Sequence, residues 1–282
     1  RYAKDGDTVK LLANAELEET YVNEKSLTLD LNGKTVSMVY AQDATANHAM
    51  ISNLGNLTIE GGKLSYKYTG ASLGTSYAAN TVTSEPGSVL TVKSGIIENL
   101  TYDSGVIAYA IDGRTNGGAG DVTVNIEGGV ITSLRQAVRI FANSTTNTGT
   151  LNISGGEFTG RVIVQNANAE ANKAALNITD GTFNANEYKS DVLYVGGSNS
   201  ATIAIDATVS GGTFNGEITD TNVKGFITGG TFGSDVTELC ALGYLCKANT
   251  DGTYSVEQDP NYIAELEIID GEYGDYTNDC DK

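Results

Sequence analysis

One glycine, repeated, constrains this chain more than any other feature. Aligned on Gly62, Gly95, Gly129, Gly156, Gly181, Gly212 and Gly230, the sequence restates a single pattern. Three residues earlier stands a β-branched apolar residue: Ile59, Val92, Ile126, Ile153, Ile178, Val209, Ile227. Two residues later stands a large apolar one: Leu64, Ile97, Ile131, Phe158, Phe183, Phe214, Phe232. These two positions are an odd number of residues apart, so on a straight strand they would face opposite ways. Both reach one core only if the chain turns a corner between them. The residue just before each anchor (Gly61, Ser94, Gly128, Gly155, Asp180, Gly211, Gly229) is of a type that accepts a left-handed or bulged backbone, and the corner is expected there.

The anchors are spaced 33, 34, 27, 25, 31 and 18 residues apart, the range of solenoid turns with loops of unequal size. "LTLDLNGKTVS" at 27–37 is a looser copy, expected to supply the first full turn. Turns would stack about 4.8 Å apart, and each inward Ile or Phe would contribute roughly 1.5–3 kcal/mol by burial. No turn can bury its own face, so stacking is obligatory. Four residues before the anchors, Thr58, Thr91, Asn125, Asn152, Asn177 and Thr208 predict an outward polar ladder, which Phe226 interrupts where the coil tapers, near 225–232.

Composition agrees with an all-β reading: 34 glycines, two prolines, no tryptophan and a single histidine, with helical periodicity only in patches such as "LLANAELEE" at 11–19. A formal charge of −18 repels phosphate backbones and anionic lipid, which excludes nucleic acid and anionic membrane surfaces as partners. It also disfavours acidic sugars unless calcium or a local basic patch reverses the field. No run of 18 apolar residues offers a membrane span. Of Cys240, Cys246 and Cys280, two could pair and leave one for another chain, or all three could be reduced.

"LTLDLNGKTV", "LTIEGGKL", "LNISGGEF" and "ITGGTFGSDVTELCALGYLCKANTDGTYSV" resemble the right-handed, single-stranded parallel β-helices of the pectin-lyase-like superfamily. More narrowly, they resemble the GGTF-repeat secreted or surface-attached proteins of gut and related bacteria. The resemblance implies an all-β parallel β-helix over 1–256, with a C-terminal cap at 235–256 made of a short helix through "DVTELCAL" and a hairpin. It also implies an extracellular or cell-surface location. The superfamily holds lyases, hydrolases and adhesins, so fold alone does not assign activity. At the N-terminal end only "KDGDTVKLLANAEL" is available as a thin lid, which suggests a longer chain or a covering partner. The tail at 257–282 is acidic, and "IAELEIID" at 263–270 alternates like a half-buried strand, to be docked on its own coil or added to a neighbour with Cys280 beside it.

Candidate chemistry is sparse. "NTDG" at 249–252 matches the Asn-Thr-Asp string of polygalacturonase-like hydrolases, but that family's Asp-Asp pair and Gly-His-Gly are missing, and the flanking alternating runs read as a hairpin turn. Lyases of this fold use a basic residue beside a calcium-held carboxylate, and Arg135, Arg139 and Arg161 are the one basic cluster; paired with Glu127, Glu157 or Asp121 they would be structural. Asp103, Asp112 and Asp121 match no calcium-loop spacing, and no cofactor is implied. His48, with Asp43 and Ser52 nearby, lacks a nucleophile elbow and reads as a surface histidine. Tyr66, Tyr68, Tyr77, Tyr102 and Tyr109 fall in long excursions where exposed rings could stack on a sugar. The ligand-contact set expected from sequence is therefore Tyr66, Tyr68, Tyr102, Tyr109, Arg135, Arg139 and Arg161. The expected role is non-catalytic: adhesion, glycan contact or structural display towards a glycan or a host or cell-surface protein, as a monomer. The alternatives are a polysaccharide lyase or hydrolase, and a filament subunit joined end to end.

Overall fold

The computed structural model describes residues 3–43, 46–70, 73, 77–102, 105–167, 173–197, 205–221 and 223–262. Odd spacing around each anchor glycine has the expected outcome: Ile59, Val92, Ile126, Ile153, Ile178, Val209 and Ile227 are all buried, and so are Leu64, Ile97, Ile131, Phe158, Phe183, Phe214 and Phe232. The chain therefore winds as a parallel β-solenoid with three sheets around one apolar lumen. The first sheet stacks Thr8–Lys10, Leu27–Asp30, Asn56–Glu60, Val89–Val92 and Val122–Ile126, then passes into Gly149–Asn166, Ala174–Asn184 and Asp206–Val209. The second begins with Ala15–Glu16, Thr35–Tyr40, Lys63–Tyr68 and Ile96–Asn99 and ends at Thr213–Asn215 and Gly230–Phe232. The third holds Tyr21–Asn23, His48–Asn53, Ala78–Ser84, Ile107–Arg114, the second half of Val130–Ala142, the end of Gly149–Asn166, Asp191–Gly197 and Glu217–Thr221.

The corner differs in detail from the sequence expectation. All seven anchors themselves have positive φ, from +90° at Gly129 to +128° at Gly181, whereas of the residues preceding them only Gly61 does. The preceding glycines serve close approach instead. A Cβ on Gly128, Gly155, Gly211 or Gly229 would lie 2.2–2.7 Å from a carbonyl oxygen of the turn below. Ser94 and Asp180 occupy that position at two other turns.

Register stacks like on like. Thr58, Thr91, Asn125, Asn152, Asn177 and Thr208 are successive partners along the first sheet, and Asn152 Nδ2 donates to Asn125 Oδ1 at 2.9 Å, so the outward ladder is present. Inside, Phe158, Phe183, Phe214 and Phe232 form a continuous stack, with centroids 4.7, 4.5 and 5.0 Å apart and rings within 8° of parallel. Each such pair adds about 0.5–1.5 kcal/mol beyond area burial. At the corner from the third sheet back to the first, Asn23 and Asn53 turn inward fully buried; Asn23 Nδ2 donates to Asn53 Oδ1 at 2.8 Å and Asn53 Nδ2 to the Val89 carbonyl at 3.1 Å, so neither amide is left unpaired.

Residues 4–17 were expected to be a thin lid, with the first full turn at 27–37; instead the strands at 8–10, 15–16 and 21–23 form a turn of the coil in their own right. The cap is as expected: a 3-10 helix at Thr237–Leu239, then the antiparallel hairpin Tyr244–Ala248 and Tyr254–Gln258, whose second strand pairs with Gly230–Phe232. The acidic stretch 263–270 and Cys280 lie outside the described residues.

Gly129→Ala tests the corner. A left-handed conformation costs a non-glycine residue about 1–2 kcal/mol, and here a Cβ would also sit 2.7 Å from the Gly95 carbonyl oxygen. Gly117→Ala, at φ +93° with nothing within 4 Å of its Cβ, carries the backbone cost alone. Denaturant unfolding should show the larger loss for Gly129→Ala; equal losses would remove close packing between turns as the reason for the glycine.

Candidate functional site

The outer face of the third sheet collects most of the sequence-nominated residues, because its register puts Tyr109 beside Gln136 and Gln136 beside Arg161, with Asp112, Arg139, Ile163 and Tyr194 in the parallel row. Asp112 is the centre. Its carboxylate accepts from Arg139 Nε at 2.8 Å and Nη2 at 3.0 Å, from Arg114 Nε, and from Asn80 Nδ2 at 3.1 Å. Burial by itself would raise the Asp112 carboxyl, but the Arg139 and Arg114 guanidiniums outweigh it and hold it below the ordinary carboxylate range. Arg139 is correspondingly held above its own: burial works against its charge, and Asp112 more than compensates.

The other two arginines are engaged as well. Arg161 donates to Asp191 Oδ2 at 2.9 Å and to Gln136 Oε1 at 3.1 Å, and Thr219 donates to the same Asp191 oxygen. Arg135 donates to Tyr188 Oη at 2.9 Å, with its guanidinium 4.3 Å from the Tyr188 ring centre. Arg139 lies 4.2 Å above the Tyr109 ring, and Arg161 5.6 Å from that of Tyr194. A structural role through ion pairs between turns was one sequence reading, and the pairs exist, but the carboxylates are Asp112 and Asp191. Glu127, Glu157 and Asp121 are not the partners, since Glu127 and Asp121 flank a strand of the first sheet and Glu157 lies in the second.

The tyrosines separate into two groups. Tyr66 and Tyr68 point into the lumen and are buried, which corrects the expectation of exposed rings: both continue the inward alternation begun by Leu64. Tyr109 is covered by Arg139 and only 4% exposed. Tyr102, at 65%, keeps an open ring, and Tyr77 is the other exposed member of the set.

His48 is half-buried rather than on the surface. Its ring stacks on Tyr40 at 3.6 Å between centroids, and its Nδ1 lies 2.8 Å from Tyr66 Oη. Burial lowers its pKa, and burial, followed by the nearby Tyr68 and Tyr40, raises that of Tyr66, so both groups are held neutral. "NTDG" forms the hairpin turn, with Asn249 N donating to the Thr253 carbonyl at 2.7 Å and Gly252 N to that of Asn249. Among the described residues no group of three or more His, Cys, Asp or Glu side chains could hold a metal ion. Asp121 accepts from Thr148 N, and Asp103 lies outside the described residues. Sequence reasoning missed Arg114, Tyr188, Asp191 and Tyr194. The signal available was an offset of 27 that superimposes "YAIDGR" on "QAVRIF" and Asp112 on Arg139.

No protein-family model matches this chain, and neither a curated protein nor a solved structure matches it.

Two outcomes follow from the titrating groups. Asp112→Asn leaves two guanidiniums without their counter-charge and should cost about 3–5 kcal/mol near neutral pH. Because the folded Asp112 carboxyl is lowered, that stabilisation is present above the unfolded value of about 3.9 and fades as pH falls below it. Unfolding curves of wild type and Asp112→Asn should therefore converge in acid; a gap that does not change with pH would refute the charge account. For His48 the folded value is also lowered, so its contribution is complete above about pH 6.5 and declines as pH drops, the folded state resisting the proton. Amide exchange in His48–Asn53 should accelerate between pH 7 and 5, after correction for intrinsic rates, by more in wild type than in His48→Gln.

Proposed function

We propose that this chain is a non-catalytic β-solenoid of the extracellular space or cell surface, acting in adhesion, glycan contact or structural display. The observation that carries this reading is the state of its ionisable groups on the third-sheet face. A catalytic acid or base works best with a pKa near the operating pH and an unengaged proton site. Asp112 is instead held below its ordinary range and Arg139 above. Arg161 and Asp191 hold each other across turns. A guanidinium in a two-point contact with a carboxylate has no tendency to release a proton, which weighs against arginine as the base of a lyase.

Contact with a neutral glycan is supported by the rings left open, Tyr102 above all, and by the charge of −18, which discourages polyuronates. The test is a polysaccharide panel read two ways. Incubation should yield neither new reducing ends nor unsaturated-uronate absorbance. Gel affinity electrophoresis should show retardation by at least one neutral glycan that Tyr102→Ala diminishes. Depolymerisation abolished by Arg139→Lys would overturn the non-catalytic reading, and absence of retardation by any glycan would leave display without glycan contact.

A further inference from the structure

The cap hairpin is tied to the coil by a short ladder. The last interval between anchors is the shortest, 18 residues from Gly212 to Gly230. The hairpin joins that winding through Gly230 with Val256, Thr231 with Ser255 and Phe232 with Tyr254. Between winding and hairpin runs the 3-10 helix Thr237–Leu239, which ends at Cys240. Cys240 bridges Ile227 at the end of the first sheet, whereas Cys246, in the first hairpin strand, pairs with Val256 beyond the end of the second. The two cysteines therefore stand on opposite sides of the last corner, one belonging to the coil and the other to its cap.

A tight turn brings their thiols together. Tyr244 N donates to the Ala241 carbonyl at 3.0 Å, and Gly243, at φ +82°, reverses the chain between the cysteines. Cys240 Sγ donates to the Val236 carbonyl at 3.5 Å. The Cys246 thiol donates to the carboxylate of the residue before it, Asp235, which Thr237 and then this thiol hold below its ordinary range. Both sulfurs thus converge on the Asp235–Val236 step, and both side chains pack against the core while staying partly exposed. Burial, with Cys246 and Asp235 adding to it, raises the Cys240 thiol to about 11. No third metal ligand joins the pair among the described residues, which leaves thiol–disulfide chemistry.

We propose that Cys240 and Cys246 form a reversible disulfide latch between the last winding and its cap hairpin, closed by exchange with a small-molecule disulfide and opened by a thiol. In closing, one cysteine attacks the small disulfide as its thiolate, forming a mixed disulfide and expelling one thiolate. The second cysteine attacks the protein-side sulfur, which forms the Cys240–Cys246 bond and expels the other. The two protons leave the protein thiols and end on the two released thiols, so two protein thiols are oxidised and one small disulfide is reduced. The latch does not rest on the glycan reading.

The full chain is incubated with oxidised glutathione, alkylated, denatured and digested with trypsin. Cleavage after Lys224 and Lys247 leaves both cysteines in one peptide, 225–247. That peptide should appear unalkylated and lighter by two hydrogens than its reduced form, and dithiothreitol should reverse both changes. Amide exchange in Tyr244–Ala248 should slow by about tenfold on closure. Cys246→Ser should abolish the bond and the slowing, whereas Cys280→Ser should keep both. Circular dichroism reports whether Cys246→Ser retains the fold, and Cys240→Ser repeats the comparison if it does not. Overturning results are peptide 225–247 joined to the peptide that carries Cys280, both thiols alkylated or left as glutathione adducts after prolonged exposure, or a closed bond that leaves exchange in the hairpin unchanged, which would make it a bond without a latch.

Discussion

Backbone hydrogen bonds between consecutive turns set everything else in this molecule. They bring neighbouring turns to the spacing of paired strands, about 4.8 Å, and at that distance whatever projects from one turn meets its counterpart on the next. Where two backbones meet at a corner, there is no room for a Cβ, hence the glycine column. Where side chains point inward, the same separation is close to the thickness of aromatic rings laid face to face, hence the column from Phe158 to Phe232. Where they point outward, identical amides and hydroxyls bond along the axis, as Asn152 does to Asn125.

Like-on-like stacking suits glycine, phenylalanine and asparagine, but it is hostile to charge, since a column of carboxylates would repel itself. The third sheet avoids this by alternating sign along and between its rows: Asp112 meets Arg139 one turn on, and Arg161 meets Asp191. The arginines also lie over tyrosine rings, which takes their apolar surface out of water. Burial then tightens each pair, because water no longer competes for the carboxylate. On this face Arg114, Arg139 and Arg161 outnumber Asp112 and Asp191, a local positive excess within a strongly acidic protein, and an open aromatic ring is found instead at Tyr102.

The repeat made the solenoid legible because its periodic positions are the ones that see the same neighbours on every turn. Inward direction, the polar ladder and the C-terminal cap could be read from residue type alone. What could not be read lies between the anchors. Loop lengths change from turn to turn, so the register of the third sheet is not visible from glycine spacing. Thus Arg139 was recognised as paired but assigned the wrong carboxylates, and Asp112 was considered for calcium when two guanidiniums already occupy it. Tyr66 and Tyr68 were misplaced because they follow the repeat by enough residues to look like loop, while their strand still runs inward. The placement of the left-handed residue at the anchor, one position later than expected, depends on the carbonyl of the turn below, which sequence does not display.

The phenylalanine column has a consequence for how such a chain changes over generations. Phe183 and Phe214 each have a phenylalanine ring above and below, so either rests on the same shape on both sides. Loss of the segment from one anchor to the next, as between Gly181 and Gly212, would bring Phe158 against Phe214 with no new shape in the core, but it would also remove Asp191 and Tyr188, the partners of Arg161 and Arg135. Duplication of the segment would likewise set phenylalanine on phenylalanine. The core column therefore accepts changes of length in whole windings by unequal recombination, and the outer ion pairs, which join particular successive turns, are what restrict them.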